Sequence, residues 1–485
     1  MGFSKEYLHV PDWTPKQDGS GYQEGAIVKH GGNIFVAKFW AGGAPGEDPG
    51  WALHDELYDV SAPPGGRTET AKVITYIPTW RGADDLNLLN GEIYKNMTHG
   101  ILSFLMLSER HLGEFETTSL EAIERFVQNV VSIGHANDTR IMVALGGASD
   151  FGFLQFMEEV GKHLSVSENG YSFSDAAAER LLDGLVARVV DFVQSRGLDG
   201  VDLDLEGWWG KVGNDQGGRL KSQGPHPAGY ALTVFAERLR RSMPDKLVSA
   251  AVFATSWYGN NYDPKMVDHL DWVGVMTYDL TGSWNKSPVG PHTSLFKIRD
   301  QEAYAAEQQG PWPSGSLDNP IFSTEDSLWY WTNPFFVNWQ GPGQQVSRAK
   351  LALGVPIYGY DFAYGKAEDS QTGYMSVRYK DILAQFPDAH LSATANIKVP
   401  GNTSRPPFIS TAGTYHYAHN IYYETPGSAA AKLSFAKSQG MQGVIIWEVT
   451  NDAWDEGRSI IKSLYRISGD RKSGGSQYEV GCLTE

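Results

Sequence analysis

Cysteine is almost absent. Cys482 is the only one in 485 residues, so the chain has no intramolecular disulfide and no cysteine-rich metal site. Long apolar runs are missing too: none is long enough to cross a bilayer. Met1-Gly2-Phe3-Ser4-Lys5-Glu6 holds no apolar signal core, which leaves any export route open. Positive charge is short as well. Lys and Arg number 40 against 57 Asp and Glu, a net charge of −17. That balance argues against nucleic acid and anionic membranes as partners and makes a neutral substrate the easier fit. No cofactor and no metal ion is expected.

What is present is a soluble globular composition, 41% apolar and 20% charged, long enough for one large core and a smaller module. Aromatic residues are plentiful (15 Trp, 23 Tyr, 21 Phe), and flat rings stack on sugar faces as readily as they fill cores. Residues 1–60 hold short β-like runs, Ala26–His30 and Asn33–Trp40, around the turn signal Gly31-Gly32. A linker follows at 61–70, containing Pro63-Pro64-Gly65-Gly66. From residue 71 to 468, apolar strand candidates alternate with amphipathic helices. The strands are 72–77, 99–105, 140–145, 200–206, 247–253, 272–278, 350–357 and 442–448, with helical patterns at 118–133, 175–195, 228–242 and 428–439. This α/β alternation predicts a (β/α)8 TIM barrel, whose chemistry sits at the C-terminal strand ends. Two connections are long enough to form walls or lids: 285–325, and an α+β insertion at 360–425 between strands 7 and 8. A tail at 469–485 closes the chain.

The most informative run is Asp199-Gly200-Val201-Asp202-Leu203-Asp204-Leu205-Glu206. On a strand, alternate side chains share a face, so Asp202, Asp204 and Glu206 project together while Val201, Leu203 and Leu205 project the other way. Neighbouring carboxylates repel, which forces at least one proton affinity upward. Such coupled acids mark catalytic sites. A merely solvated acidic face is the alternative, but a buried parallel strand reads as continuously apolar.

This run resembles the Asp-x-x-Asp-x-Asp-x-Glu signature of family 18 glycoside hydrolases of the bacterial chitinase type. Other landmarks follow in order: Val73-Ile74-Thr75-Tyr76, Ala144-Leu145-Gly146-Gly147, Met276-Thr277-Tyr278-Asp279 and Trp447. The resemblance implies a retaining chitinase without an enzyme nucleophile, in which the substrate's N-acetyl group attacks the anomeric carbon. By the same resemblance, Glu206 is the general acid/base and Asp204 orients the acetamido group. Asp202 tunes charge and shares a proton with Asp204, and Tyr278 donates to the acetamido oxygen. Tyr76, Met276, Asp279, Trp284 and Trp447 line the sugar subsites, and Trp208-Trp209 extend the cleft, whereas Trp329, Trp331 and Trp339 are read as packing. Asp199, of opposite parity, is structural. Two departures stand out. Ala144 replaces a serine that bonds the inner aspartate, leaving Asp202 to Tyr76 or water, and Ala148 replaces an aglycone-side tryptophan. Phe39, Trp40 and Trp51, in Phe35-Val36-Ala37-Lys38-Phe39-Trp40 and beyond, are similar to the binding aromatics of small chitin-binding modules. The implied partners are chitin or chitooligosaccharides, and the implied location is extracellular. An endo-β-N-acetylglucosaminidase and a silent chitin-binding lectin are the alternatives.

Overall fold

Short apolar strands and intervening helices build the molecule around one closed parallel barrel. The computed structural model describes residues 11, 13–16, 21–23, 25–30, 33–38, 40–45, 47–53, 70–81, 88–168, 170–210, 218–282, 287, 289–298, 321–332, 337–338, 341–362, 376–400 and 417–470. The linker and the tail beyond Asp470 therefore lie almost wholly outside the described residues.

Strands β1 (Ile27–His30), β2 (Asn33–Ala37) and β3 (Trp51–Leu53) make a small antiparallel sheet, its core formed by Val28, Ala37, Ala41 and Trp51. The barrel begins with β4 (Lys72–Pro78), β5 (His99–Leu105) and β6 (Arg140–Gly146). A hairpin of β7 (Leu164–Ser167) and β8 (Gly170–Phe173) interrupts it. It resumes with β9 (Gly200–Asp204), β10 (Leu247–Phe253) and β11 (Trp272–Met276). After the short pair β12 (Val337–Asn338) and β13 (Gly341–Pro342) comes β14 (Leu351–Pro356). The insertion then adds β15 (Tyr358–Asp361), β16 (Ser376–Arg378), β17 (Asn396–Pro400) and β18 (Tyr417–Tyr423), an antiparallel sheet in the order β16-β15-β18-β17. Finally β19 (Gly443–Trp447) pairs with β14 and β4 and shuts the barrel.

The expected (β/α)8 architecture is thus the observed one, with three local differences. The 118–133 helix is two helices, Thr117–Glu124 and Val127–Ala136. The break re-aims the second so that Val127, Val130 and Val131 are buried as Ala122 and Ile123 are in the first. The ladders of the fourth and sixth barrel strands end at Asp204 and Met276, two residues earlier than expected. There the backbone curls into local bonds, Trp208 N to Glu206 O at 2.6 Å and Thr277 N to Val275 O at 2.8 Å. The helix Phe151–Gly161 has no counterpart among the expected helices.

Alternation along the strands produces two apolar layers. Val201, Leu203 and Leu205 belong to the shell between barrel and helices, whereas Ile74, Tyr76, Met142 and Tyr278 belong to the interior cluster. Each buried Leu or Val in the shell contributes about 1.5–3 kcal/mol, a reserve against which the barrel can hold acids inside. Among the described residues no helix is long and apolar enough to cross a membrane.

Candidate active site

Parallel pairing on both sides of β9 places Asp202 between Ala144 and Ser249, and Asp204 between Gly146 and Ala251. Both aspartates are buried inside the barrel. Tyr76 Oη donates to Asp202 Oδ2 at 2.8 Å, and Ser249 Oγ donates to Oδ1 at 2.5 Å. The serine absent at position 144 is therefore supplied from the strand on the other side. Ser249 escaped the sequence reading because nothing in its local context marks it; only the register across β9 and β10 brings it to the acid.

Burial lifts Asp202 to about 6, with the two hydroxyl donors opposing. Each oxygen of Asp202 thus has one hydroxyl donor. The carboxyl–carboxyl hydrogen bond runs between Asp204 and Glu206. Burial, then the charges of Glu206 and Asp202, push Asp204 well above the carboxylate range. Glu206 rises to about 7 through burial and then the charge of Asp279, while its bond with Asp204 works the other way. Asp204 is thus pushed toward its protonated form, and Glu206 takes up a proton near pH 7. Asp204 Oδ1 is buried with no hydrogen-bond partner among the described residues. Glu206 lies just past the ladder and stays partly exposed at the barrel mouth.

The Gly146-Gly147 pair has a steric reason. Both sit at positive φ, +117° and +100°, and a Cβ on Gly146 would stand 2.0 Å from Asp204 O. One on Gly147 would stand 2.7 Å from the Phe104 ring. Their absence lets Gly147 N donate to Asp204 O at 2.8 Å and locks the acid strand. At the other end of β9, Asp199 accepts from Ile141 N at 2.7 Å and contacts His135 Nε2 at the same distance.

Beyond β11, Tyr278 is buried, and the charges of Glu206, Asp204, Asp279 and Asp202 add to burial in raising its hydroxyl. Met276 is buried beside it in the interior cluster. Asp279 takes a left-handed backbone, φ 55°. Its Oδ1 accepts from Tyr358 Oη at 2.5 Å and Tyr360 Oη at 2.9 Å, both from β15. Neither tyrosine was singled out from sequence, because the pairing depends on how the insertion folds back over the sixth barrel strand.

Trp447, at the end of β19, is one ring of three in a wider aromatic surface than expected. Its ring stacks on Phe104 at 5.5 Å and on Trp80 at 6.1 Å, and Trp80 stacks on Phe104 at 5.8 Å. Trp80 is 52% exposed, so this three-ring wall faces solvent beside the acids' end of the barrel. Tyr76 lies 5.7 Å from Trp447.

Other aromatic expectations fare differently. Trp208 does not extend the cleft: it is fully buried against Tyr262 and His226, and its indole N–H points at Tyr262 Oη, 3.4 Å away. Once the ladder ends at Asp204, strand parity no longer predicts direction. Trp331 is buried and donates to Phe253 O at 3.0 Å, as packing requires, and Trp329 is half-buried. Trp284, Trp339, Phe39 and the Trp209 side chain lie outside the described residues. In the N-terminal sheet Trp51 is buried and donates to Gly43 O at 2.9 Å, whereas Trp40 is 59% exposed.

The model of the glycosyl hydrolases family 18 matches residues 72–452, most of the chain. Chitinase A1 of Niallia circulans is 26% identical over 299 residues, covering 58% of this chain and 38% of that protein. The chain therefore spans well under two thirds of that relative. Among solved structures, the Ostrinia furnacalis Group II chitinase catalytic domain 2 superposes with a TM-score of 0.56 at 18% identity, over 83% of this chain and 98% of its own. The chitinase-like agglutinin RobpsCRA from Robinia pseudoacacia does so with a TM-score of 0.53 at 18% identity, over 81% and 99%. At such identities these two share the fold.

Proposed function

The chain belongs to the glycosyl hydrolases family 18, and from that premise we propose that it is a retaining chitinase acting on β-1,4-linked N-acetylglucosamine polymers through substrate assistance. The observation that carries this reading is the buried Asp204 Oδ1, unpartnered and two residues from an acid that protonates near neutrality. It is an acceptor waiting for an amide N–H, which an N-acetyl sugar supplies and a plain glucan does not.

In the proposed reaction Glu206 gives its proton to the glycosidic oxygen as the bond to the anomeric carbon breaks. The acetamido oxygen forms a bond to that carbon, giving an oxazolinium ion, with the N–H held by Asp204 and the oxygen by the Tyr278 hydroxyl. Glu206, now a carboxylate, takes a proton from water. The water oxygen attacks the anomeric carbon, the acetamido oxygen leaves, and the original configuration returns. Asp202, braced by Tyr76 and Ser249, supports the negative field under the developing cation. Trp447, with Trp80 and Phe104 beside it, offers sugar-stacking surface of roughly 0.5–1.5 kcal/mol per ring beyond burial. Trp284 would stack on the aglycone side.

Labelled chitin oligomers followed by NMR test the reading: β-anomeric products and inhibition by a thiazoline analogue are expected. α-Anomeric products, or indifference to the thiazoline, would sink substrate assistance. The agglutinin fold neighbour keeps a lectin reading in view, but the intact, raised Glu206 favours turnover. An endo-β-N-acetylglucosaminidase would instead trim a high-mannose glycoprotein and leave chitohexaose uncut.

For residues 1–60 the reading is a chitin anchor, with exposed Trp40 as its flat face and an extracellular polymer as its target. Deleting them should lower activity on solid chitin several-fold and leave soluble oligomers almost unaffected. Equal losses on both substrates would make the segment part of the catalytic fold instead.

A further inference from the structure

Asp279 holds an unusual environment for a carboxylate beside an active site. Its side chain is 45% exposed and its backbone is left-handed, a conformation that a non-glycine residue keeps only when its surroundings hold it. Among the described residues it pairs with no lysine or arginine. Two phenol hydroxyls from β15 point at one of its oxygens, and His292 Nδ1 lies 3.7 Å from the same oxygen. The histidine cannot be read as a simple counter-charge. Its Nδ1 faces the Asp279 backbone N–H at 3.4 Å as acceptor, and its Nε2 is buried with no partner among the described residues. Its ring packs between Tyr358 and Tyr360 at 5.1 and 5.0 Å.

The tyrosines are themselves rigid. Tyr358 and Tyr360 share a face of β15 and are buried, and Tyr358 packs edge-on against Tyr278 at 6.3 Å. Strand β15 is clamped between β16 and β18. The loop carrying His292 is strapped to the end of β11 by Leu280 N to His292 O at 3.0 Å and Thr293 Oγ1 to Thr277 O at 2.8 Å. Behind Thr293, Lys432 is buried and paired with Glu424.

We propose that Tyr358 and Tyr360 are positioning residues that hold Asp279 as a fixed negative neighbour of Glu206, so that the insertion sheet takes part in setting when the acid carries its proton. The inference rests on reading Glu206 as the general acid. Burial and Asp279 raise both phenols well above their ordinary value, so they remain donors across the working pH range. The other groups facing the pair are Asp204 and Asp202 from β9, Tyr278 beyond β11, and Tyr262 after β10. None of these belongs to the insertion, so its influence can be removed separately.

The test is Tyr358→Phe/Tyr360→Phe, which keeps both rings and deletes both donors. Freed of them, the Asp279 carboxylate turns toward water, where its field is screened. Glu206 then loses its proton at lower pH. The Glu206 midpoint, read without turnover from the infrared carboxylic-acid band in spectra differenced against Glu206→Gln, should fall by about half a pH unit. The basic limb of kcat/KM on chitohexaose should move with it. In an Asp279→Asn background the same tyrosine changes should add no further shift. An unmoved midpoint, or an equal shift without the Asp279 charge, overturns the proposal. Should the double variant fail to fold by thermal melting, Tyr360→Phe alone gives a smaller shift of the same sign. Wild-type protein with no turnover would refute the hydrolase reading, while the infrared midpoint would still decide this one.

Discussion

Replacing Glu206 by Gln should lower turnover on soluble chitin oligomers by roughly 100-fold or more, while oligosaccharide binding should survive. The amide fills the same space but has no proton to give the leaving oxygen. It also removes the Glu206 charge that helps to raise Asp204. On the proposed mechanism Glu206, raised to about 7, should set the alkaline edge of activity in the unaltered protein, because above that pH the acid has lost its proton. Steady-state kinetics with calorimetric binding of a chitin oligomer checks both halves. Turnover like that of the unaltered protein removes Glu206 from the role, and loss of binding along with turnover means the site collapsed.

Asp204→Asn should be slower by a similar factor and, near pH 7, more heat-stable. The amide can bond Glu206 as the protonated aspartate does but holds the acetamido group with a neutral, less adjustable partner. Stability follows from linkage. Asp204 is raised well above its unfolded value, near 3.9. A raised acid contributes stability that is complete below its unfolded pKa and is lost as pH climbs through the folded one. Asp202 at about 6, with Glu206 and Asp150 at about 7, act in the same direction, so the barrel interior costs stability increasingly between about pH 4 and 7. Removing the ionisable carboxyl at 204, and with it the linkage cost of its raised pKa, should raise the melting temperature near pH 7 by a few degrees, with the advantage over the unaltered protein shrinking toward pH 4. Paired melting curves across that range decide it. A variant that melts lower at pH 7 would mean that hydrogen bonding at Asp204 outweighs its charge.

Asp150 shows how much of the site hides from a motif search. It caps the helix Phe151–Gly161 by accepting from Phe153 N at 2.8 Å, and its other oxygen accepts from Leu107 N at the same distance. Its charge also reaches Asp204. In the sequence it is one more acid before a helix. Trp80, Phe104 and Ser249 were equally unmarked, because each gains its place from the circular order of strands rather than from its neighbours in the chain. Trp208 was placed in the cleft because it follows the acid, whereas the chain turns inward there and buries it against Tyr262 and His226.

What the amino-acid sequence determined by itself is whatever depends on local periodicity. The alternation in Val201–Glu206 divides acids from core because strand geometry has a period of two, whereas the reason that Gly146-Gly147 is glycine, its closeness to Asp204 and Phe104, came only with the tertiary contacts. Eight strand–helix alternations already implied the barrel. Tertiary structure decided which groups share each proton. Hydrogen bonds and unscreened charge act over a few ångströms, and only closure of the barrel brings Tyr76 and Ser249 to Asp202, Asp204 to Glu206, and the insertion's tyrosines to Asp279.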